Sequence, residues 1–258
     1  MAPTRLQPNS FLVAPPVLPR PPKPLLRLTG QAIEDYRMIG PGDRLLLGLS
    51  GGKDSLSLLQ VLRTLQVKSP IKFELVCATV DPCIDGYDPH YLKDYLAGLG
   101  IPYFYRRQAI VARALNTMRG DSFCSYCARM RRGILYDIAR AEGYNVLVMG
   151  QHLDDLAESF LMSAFHNGRL GTMKAHYVID AGDLRVIRPF VYVRERQTRD
   201  FAERAKLPVT QDNCPACFRI PTQRLAMKQL LATQEKDHPR LFDSLLAAMR
   251  PLMGVPPG

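Results

Sequence analysis

No run in this 258-residue chain approaches the ~20 apolar residues that a bilayer-spanning helix needs. Pro15, Pro16 and Pro19 interrupt the short run Phe11-Leu12-Val13, so no signal-peptide core forms at the start. Together these absences predict a soluble cytoplasmic protein without membrane contact. Acidic residues are missing from residues 1–27, which hold eight prolines and the basic residues Arg5, Arg20, Lys23 and Arg27. Such a segment is expected as an extended tail without regular structure, able to touch a polyanion. Cysteine is absent from residues 1–30 and 240–258, which excludes terminal zinc modules. No Gly-x-x-x-x-Gly-Lys followed by Ser or Thr occurs, which disfavours the ordinary nucleotide-hydrolase loop, and no internal repeat is visible.

What is present points to one α/β domain. At 47% hydrophobic the chain can bury one substantial core, expected over residues 28–250 with a short tail at 251–258. Lys and Arg number 34 against 24 Asp and Glu, and the net charge of +10 favours a polyanionic partner such as RNA. Strands are predicted at Arg44–Leu49, Phe73–Val80, Tyr103–Arg107, Val146–Met149 and Leu184–Phe190. Helices are predicted near Gln31–Ile39, Ser55–Leu65, Pro89–Leu99, Ala128–Ala141, Leu153–Phe165 and Arg194–Ala205, then at Pro221–Leu231 and Pro239–Met249. This alternation folds most simply as a parallel sheet with helices on both faces, followed by C-terminal helices. Ligands of such sheets bind at the strand carboxyl ends, where Ser50, Asp81 and Gly150 fall.

The first of those ends carries Ser50-Gly51-Gly52-Lys53-Asp54-Ser55, between an apolar strand and a helical pattern. Two adjacent glycines allow a sharp turn that aims several N–H groups at one anion, and the following helix presents its positive end there. Lys53 adds a mobile positive charge, and Ser50 and Ser55 add hydroxyls. The hexapeptide resembles the PP-loop of ATP pyrophosphatases, in which ATP is split between its α and β phosphates and the nucleotidyl group activates a substrate carbonyl. Gly150-Gln151-His152-Leu153-Asp154-Asp155 returns to the same sheet edge. There Asp154 and Asp155 can hold Mg²⁺ or cap the next helix, and His152 can contact a phosphate or an activated intermediate.

Six cysteines, four of them in the pairs Cys124/Cys127 and Cys214/Cys217, argue for metal or redox chemistry in a reducing compartment. Two C-x-x-C turns can complete a four-thiolate site, and spacing does not separate zinc from an iron–sulfur cluster; residues alone favour zinc. Two redox disulfides lack the thioredoxin-like context that reading requires. Cys77 reads as a small buried hydrophobe in a strand, and Cys83, beyond Asp81-Pro82, as a candidate sulfur carrier. Arg106, Arg107, Arg129, Arg131 and Arg132 predict a positive surface for phosphate contacts.

Three separated segments, Ser50–Ser55, Cys124–Tyr136 and Gly150–Asp155, together resemble the tRNA 2-thiocytidine biosynthesis proteins. Ile187-Arg188-Pro189-Phe190, Cys214–Cys217 and Gln223-Arg224 fall in the expected order, so the likeness spans roughly residues 30–250. The resemblance implies sulfur transfer to C2 of cytidine 32 in tRNA, using ATP, Mg²⁺ and a [4Fe-4S] cluster, with zinc as the alternative. It also implies a cysteine desulfurase or another sulfur donor upstream, and a homodimer. By the same resemblance Ser50, Gly51, Gly52, Lys53, Asp54 and Ser55 bind ATP along with Asp81 and Gly150. Lys53, Asp54, His152 and Asp155 carry the catalytic roles, with Lys53 on phosphate and Asp54 near Mg²⁺. Cys124 and Cys127 become cluster ligands, and the Cys214/Cys217 pair supplies a third, without spacing deciding which. Gln151 stands where many relatives carry a second histidine. Rival readings are a lysidine synthetase or 2-thiouridine synthetase, or a zinc-stabilised tRNA-binding protein without catalysis.

Overall fold

A computed structural model describes residues 4–6, 19–83, 87–117, 123–210 and 223–254. In chain order the elements are β1 (Thr4–Leu6), α1 (Lys23–Asp35), β2 (Arg44–Gly48), α2 (Lys53–Lys68), β3 (Glu74–Asp81), α3 (Tyr91–Gly98) and β4 (Tyr103–Arg107). They continue with α4 (Ile110–Thr117), α5 (Phe123–Ala141), β5 (Val146–Val148), α6 (Leu153–Asn167), β6 (His176–Val178) and β7 (Arg185–Ile187). Then follow α7 (Glu195–Arg204), α8 (Gln223–Asp237), α9 (Leu241–Met249) and a short 3-10 turn at Arg250–Leu252.

The strands form one sheet in the order β1-β4-β3-β2-β5-β7-β6. β4, β3, β2, β5 and β7 run parallel, and β1 and β6 close the two edges antiparallel. Leu45, Leu46 and Leu47 are all fully buried, as a strand covered on both faces requires. Alternate residues serve opposite layers: Leu45, Leu47 and Val148 pack with α1, α2 and α6, whereas Leu46, Ala78 and Leu147 pack with α5. The chain steps outward through β2, β3 and β4, then crosses back to place β5 on the other side of β2. That reversal opens a crevice at the carboxyl ends of β2 and β5.

α5 covers the second face and runs antiparallel to β2. Arg44, at the start of β2, donates to the Gly143 carbonyl just past the helix, at 2.8 Å. At the other end of β2, a Cβ added to Gly48 would lie 3.1 Å from Leu135 Cδ1. Cys127 lies two turns before Leu135, which at 1.5 Å per residue carries it ~12 Å farther toward the strand carboxyl edge.

The proline-rich tail expected through residue 27 ends earlier. α1 begins at Lys23, with Pro22 as its N-cap and a proline in its first turn, where a missing N–H costs nothing because that donor has no helical partner anyway. Thr4–Leu6 pairs with β4, so part of the tail is a strand. Neither β6 nor α4 is read from the sequence, because three and eight residues give little periodicity. The strand expected at Leu184–Phe190 stops at Ile187, where Pro189 cannot continue the ladder. α5 starts at Phe123 rather than Ala128, so Cys124 and Cys127 lie inside the helix, not ahead of it. Among the described residues no helix is long and apolar enough to cross a membrane.

Where β2 meets its loop, the buried Thr79 hydroxyl donates to the Leu49 carbonyl at 2.6 Å, and Leu49 N–H donates to Ala78 at 2.8 Å. Thr79→Val keeps the strand shape and removes the first bond. It is expected to lower unfolding free energy by ~1–2 kcal/mol in urea titrations.

Candidate active site

Gly51 takes φ +82°, and a Cβ there would meet Thr210 and lie 2.8 Å from the Tyr91 hydroxyl oxygen, so this turn requires glycine. Thr210 N–H donates to the Gly51 carbonyl at 3.0 Å and Tyr87 donates to the Ser50 carbonyl at 2.9 Å, which holds the loop from two sides. The loop serines face inward: Ser55 Oγ donates to the Gly52 carbonyl at 3.0 Å and lies 3.2 Å from Ser50 Oγ. Gly52 is the N-cap of α2 and offers no side-chain cap. The first amides of this 16-residue helix therefore keep free donors at its positive end, which suits an anion.

The loop after β5 comes directly alongside. A Cβ on Gly150 would lie 3.4 Å from both Cα and N of Ser55, so a side chain there would press on the start of α2. His152 is the N-cap of α6, and Asp155 completes a capping box: Asp155 N–H donates to His152 Nδ1 at 3.3 Å, and His152 N–H donates to Asp155 Oδ2 at 2.9 Å. Capping, expected of an aspartate, thus falls to the histidine as well. A neutral imidazole that accepts at Nδ1 carries its proton on Nε2, and Nε2 lies 3.8 Å from Asp54 Oδ2.

Lys53, Asp54, His152 and Asp155 line one cleft of about 320 Å³, together with Glu158, Glu195, Arg224 and Lys228. Lys53 Nζ sits 2.9 Å from Asp54 Oδ2 and 3.0 Å from Glu195 Oε1. Burial pulls the Lys53 ammonium down, but these two carboxylates outweigh it and hold the group above its ordinary value. Burial likewise works against the Glu195 carboxylate, yet bonds from Lys228 and Lys53 bring it down to about 2. Glu158 is raised by burial against the pull of Arg224, which donates to it at 2.7 Å and also binds Asp155. Asp54 also accepts from Thr198.

Asp154 turns away from the cleft. It accepts from Glu195 N–H at 2.7 Å and pairs with Arg194 at 3.0 Å, so it caps α7 and positions Glu195. Arg194 binds Glu235 through two nitrogens at 2.7 and 2.9 Å and lies over the Phe242 ring. Glu195, Thr198, Thr210 and Lys228 belong to no motif; the only sequence signal for Glu195 is its place at the start of a predicted helix.

Asp81 lies at the same sheet edge but outside the cleft. Its carboxylate accepts from Tyr105 and, at 2.8 Å, from Cys83 N–H. Cys77 is buried and its thiol pushed up by desolvation, as a core residue requires, whereas Cys83 is partly exposed in the left-handed region at φ +58°. Cys127 is a partly buried cysteine on the edge that carries the loop, and Cys124 lies one turn before it in the same helix. Cys214 and Cys217 lie outside the described residues. The chain leaves the described fold at Thr210, bonded to Gly51, and re-enters before Arg224, bonded to Asp155 and Glu158.

A model of the PP-loop domain matches residues 24–232. The tRNA-cytidine(32) 2-sulfurtransferase of Syntrophotalea carbinolica is 39% identical over 224 residues, 86% of each chain. That of Geobacter sulfurreducens is 38% identical over 228 residues, 88% of this chain and 89% of its own. The fold is that of the U34-tRNA thiolase from Methanococcus maripaludis, solved with its [4Fe-4S] cluster, with a TM-score of 0.71 at 22% identity over 88% of this chain and 78% of the other.

The Lys53–Glu195–Lys228 arrangement sets an acid limit on stability. Because pairing holds Glu195 near 2, below its ordinary 4.5, its contribution is complete above pH 4.5 and fades as pH falls toward 2. Glu195→Gln is expected to remove on the order of 2 kcal/mol of that acid-dependent stability, allowing for partial exposure. Urea midpoints measured from pH 5 to pH 3 should then fall less steeply than in the unaltered protein. The cleft at the β2/β5 crossover, the match over residues 24–232 and the identity to full-length relatives agree: this chain belongs to the PP-loop family and, within it, to the tRNA-cytidine(32) 2-sulfurtransferases.

Proposed function

We propose that this protein thiolates cytidine 32 of tRNA, using ATP to activate the C2 oxygen before sulfur replaces it. The observation that carries the reading is one crevice in which the uncapped end of α2 meets a cleft of paired Lys53, Asp54 and Glu195. Its edge is shared by the helix that carries Cys124 and Cys127.

Cytidine O2 is a poor leaving group, so it must first attack the α-phosphorus of ATP, releasing pyrophosphate. The free amides at the start of α2 take the departing phosphates, and Lys53 exchanges its carboxylate partners for phosphate oxygens. His152 directs an Nε2–H donor into the same space, held there by its bond with Asp155. Sulfur at the oxidation level of sulfide then bonds to C2, the C2–O bond breaks, and the oxygen leaves on AMP. The thiol proton passes to solvent, so the exchange is redox-neutral and forms one AMP and one pyrophosphate.

Among the described residues no three His, Cys, Asp or Glu form a preformed metal cage. Mg²⁺ fits without one, because it is commonly held by one or two carboxylates, here Asp54, together with phosphate oxygens and water. A [4Fe-4S] cluster fits Cys127, a partly buried cysteine one helical turn from Cys124, with the remaining ligand drawn from Cys214 and Cys217. When bound there, the cluster supplies an open iron site for the incoming sulfur. Thr210, which donates to the Gly51 carbonyl of the phosphate loop, precedes Cys214 and Cys217 by only a few residues in the sequence. A desulfurase or another sulfur donor feeds this site, and the protein acts as a homodimer in the cytoplasm.

Anaerobically purified protein is expected to contain iron and to form 2-thiocytidine in tRNA with ATP and a sulfide source. Stoichiometric zinc without iron would overturn the cluster assignment, and tRNA lacking 2-thiocytidine the whole reading. Lys53→Ala should slow thiolation by ~100-fold or more. Cys124→Ala should abolish thiolation while ATP affinity changes by less than about twofold.

A further inference from the structure

Arg188 is a buried cation that the mechanism above leaves unused. It follows the last residue of β7, is only 3% exposed, and has no carboxylate partner among the described residues. Burial holds its guanidinium below the ordinary value. Its donors go to neutral oxygens, Nε to Gln151 Oε1 at 2.9 Å and Nη1 to the Lys174 carbonyl at 2.6 Å, and it lies 5.6 Å from the Tyr177 ring centre. A buried charge without a counter-ion is costly, so the neutral partners of Arg188 are held firmly in place.

The consequence is felt at Gln151. A guanidinium only donates, so the Gln151 amide must turn its oxygen to Arg188 and its Nε2–H₂ away from it. That nitrogen has no hydrogen-bond partner among the described residues, and Gln151 is partly exposed. Gln151 stands between Gly150, packed on the Ser55 backbone, and His152, whose Nε2 points to Asp54. It therefore carries a fixed donor beside His152, one of the residues that line the cleft.

We propose that Gln151 selects cytosine, donating one Nε2–H to ring nitrogen N3, with Arg188 as its positioning residue. Cytosine N3 is an acceptor, whereas uracil carries N3–H and would oppose the same donor; a contact at N3 also leaves O2 free to attack phosphorus. This assignment rests on the thiolation reading above.

The test compares tRNA transcripts that carry cytidine or uridine at position 32, measuring kcat/KM for thiolation along with ATP affinity and melting temperature. The unaltered protein should prefer cytidine. Gln151→Glu replaces the donor with an acceptor and should reduce the cytidine-to-uridine ratio about tenfold or more, with ATP affinity unchanged. Gln151→Ala should lower cytidine kcat/KM about tenfold without favouring uridine. Arg188→Lys should lower the same ratio through loss of the fixed amide, and Arg188→Met serves the same end if the lysine variant melts early. An unchanged ratio in folded, ATP-binding Gln151 variants would overturn the assignment alone. No 2-thiocytidine from the unaltered protein would overturn the reading beneath it as well.

Discussion

The approach of Gly150 to the Ser55 backbone fixes the geometry on which the site depends. It joins two loops that the topology delivers to one place, because β5 pairs with β2 on the side opposite β3. One loop brings a helix with free amides, and the other brings a helix capped by its own histidine. Without a side chain at residue 150, His152 and Asp54 come within 3.8 Å across the junction. On the proposed reading, a phosphate group and the base that attacks it share a space whose walls are fixed by backbone packing.

The electrostatics follow from that closeness. Four carboxylates, Asp54, Asp155, Glu158 and Glu195, face three cations in the cleft, Lys53, Lys228 and Arg224. Each cation is already paired, so the cleft is not a bare positive pocket; on the proposed reading an arriving polyphosphate exchanges with carboxylates and leaves them for a divalent cation. Asp154 and Arg194 stand behind this exchange, capping α7 so that Glu195 stays opposite Lys53.

Much of this is legible in the sequence, for identifiable reasons. The β2, β3 and β5 strands are largely apolar runs, and the glycine pair at 51 and 52 announces a tight turn ahead of a helix. Lys53, Asp54, His152 and Asp155 can be placed at one edge because parallel strands deliver their carboxyl ends together. The capping role of His152 is not readable, since histidine is an uncommon N-cap and its neighbours are aspartates. Glu195 and Lys228 come from α7 and α8, and only three-dimensional packing brings them to the cleft. Asp81 stands at a strand end as its place in the sequence suggests, and its bond from Tyr105 on the adjoining strand is not readable from the sequence.

The central claim is that ATP is spent on the oxygen that sulfur replaces. It is tested most directly with tRNA carrying ¹⁸O at O2 of cytidine 32, by mass spectrometry of the nucleotide released during one round of thiolation. The account predicts AMP bearing the ¹⁸O, in equal amount to 2-thiocytidine. Release of ADP, or of AMP without the label while 2-thiocytidine forms, would contradict it.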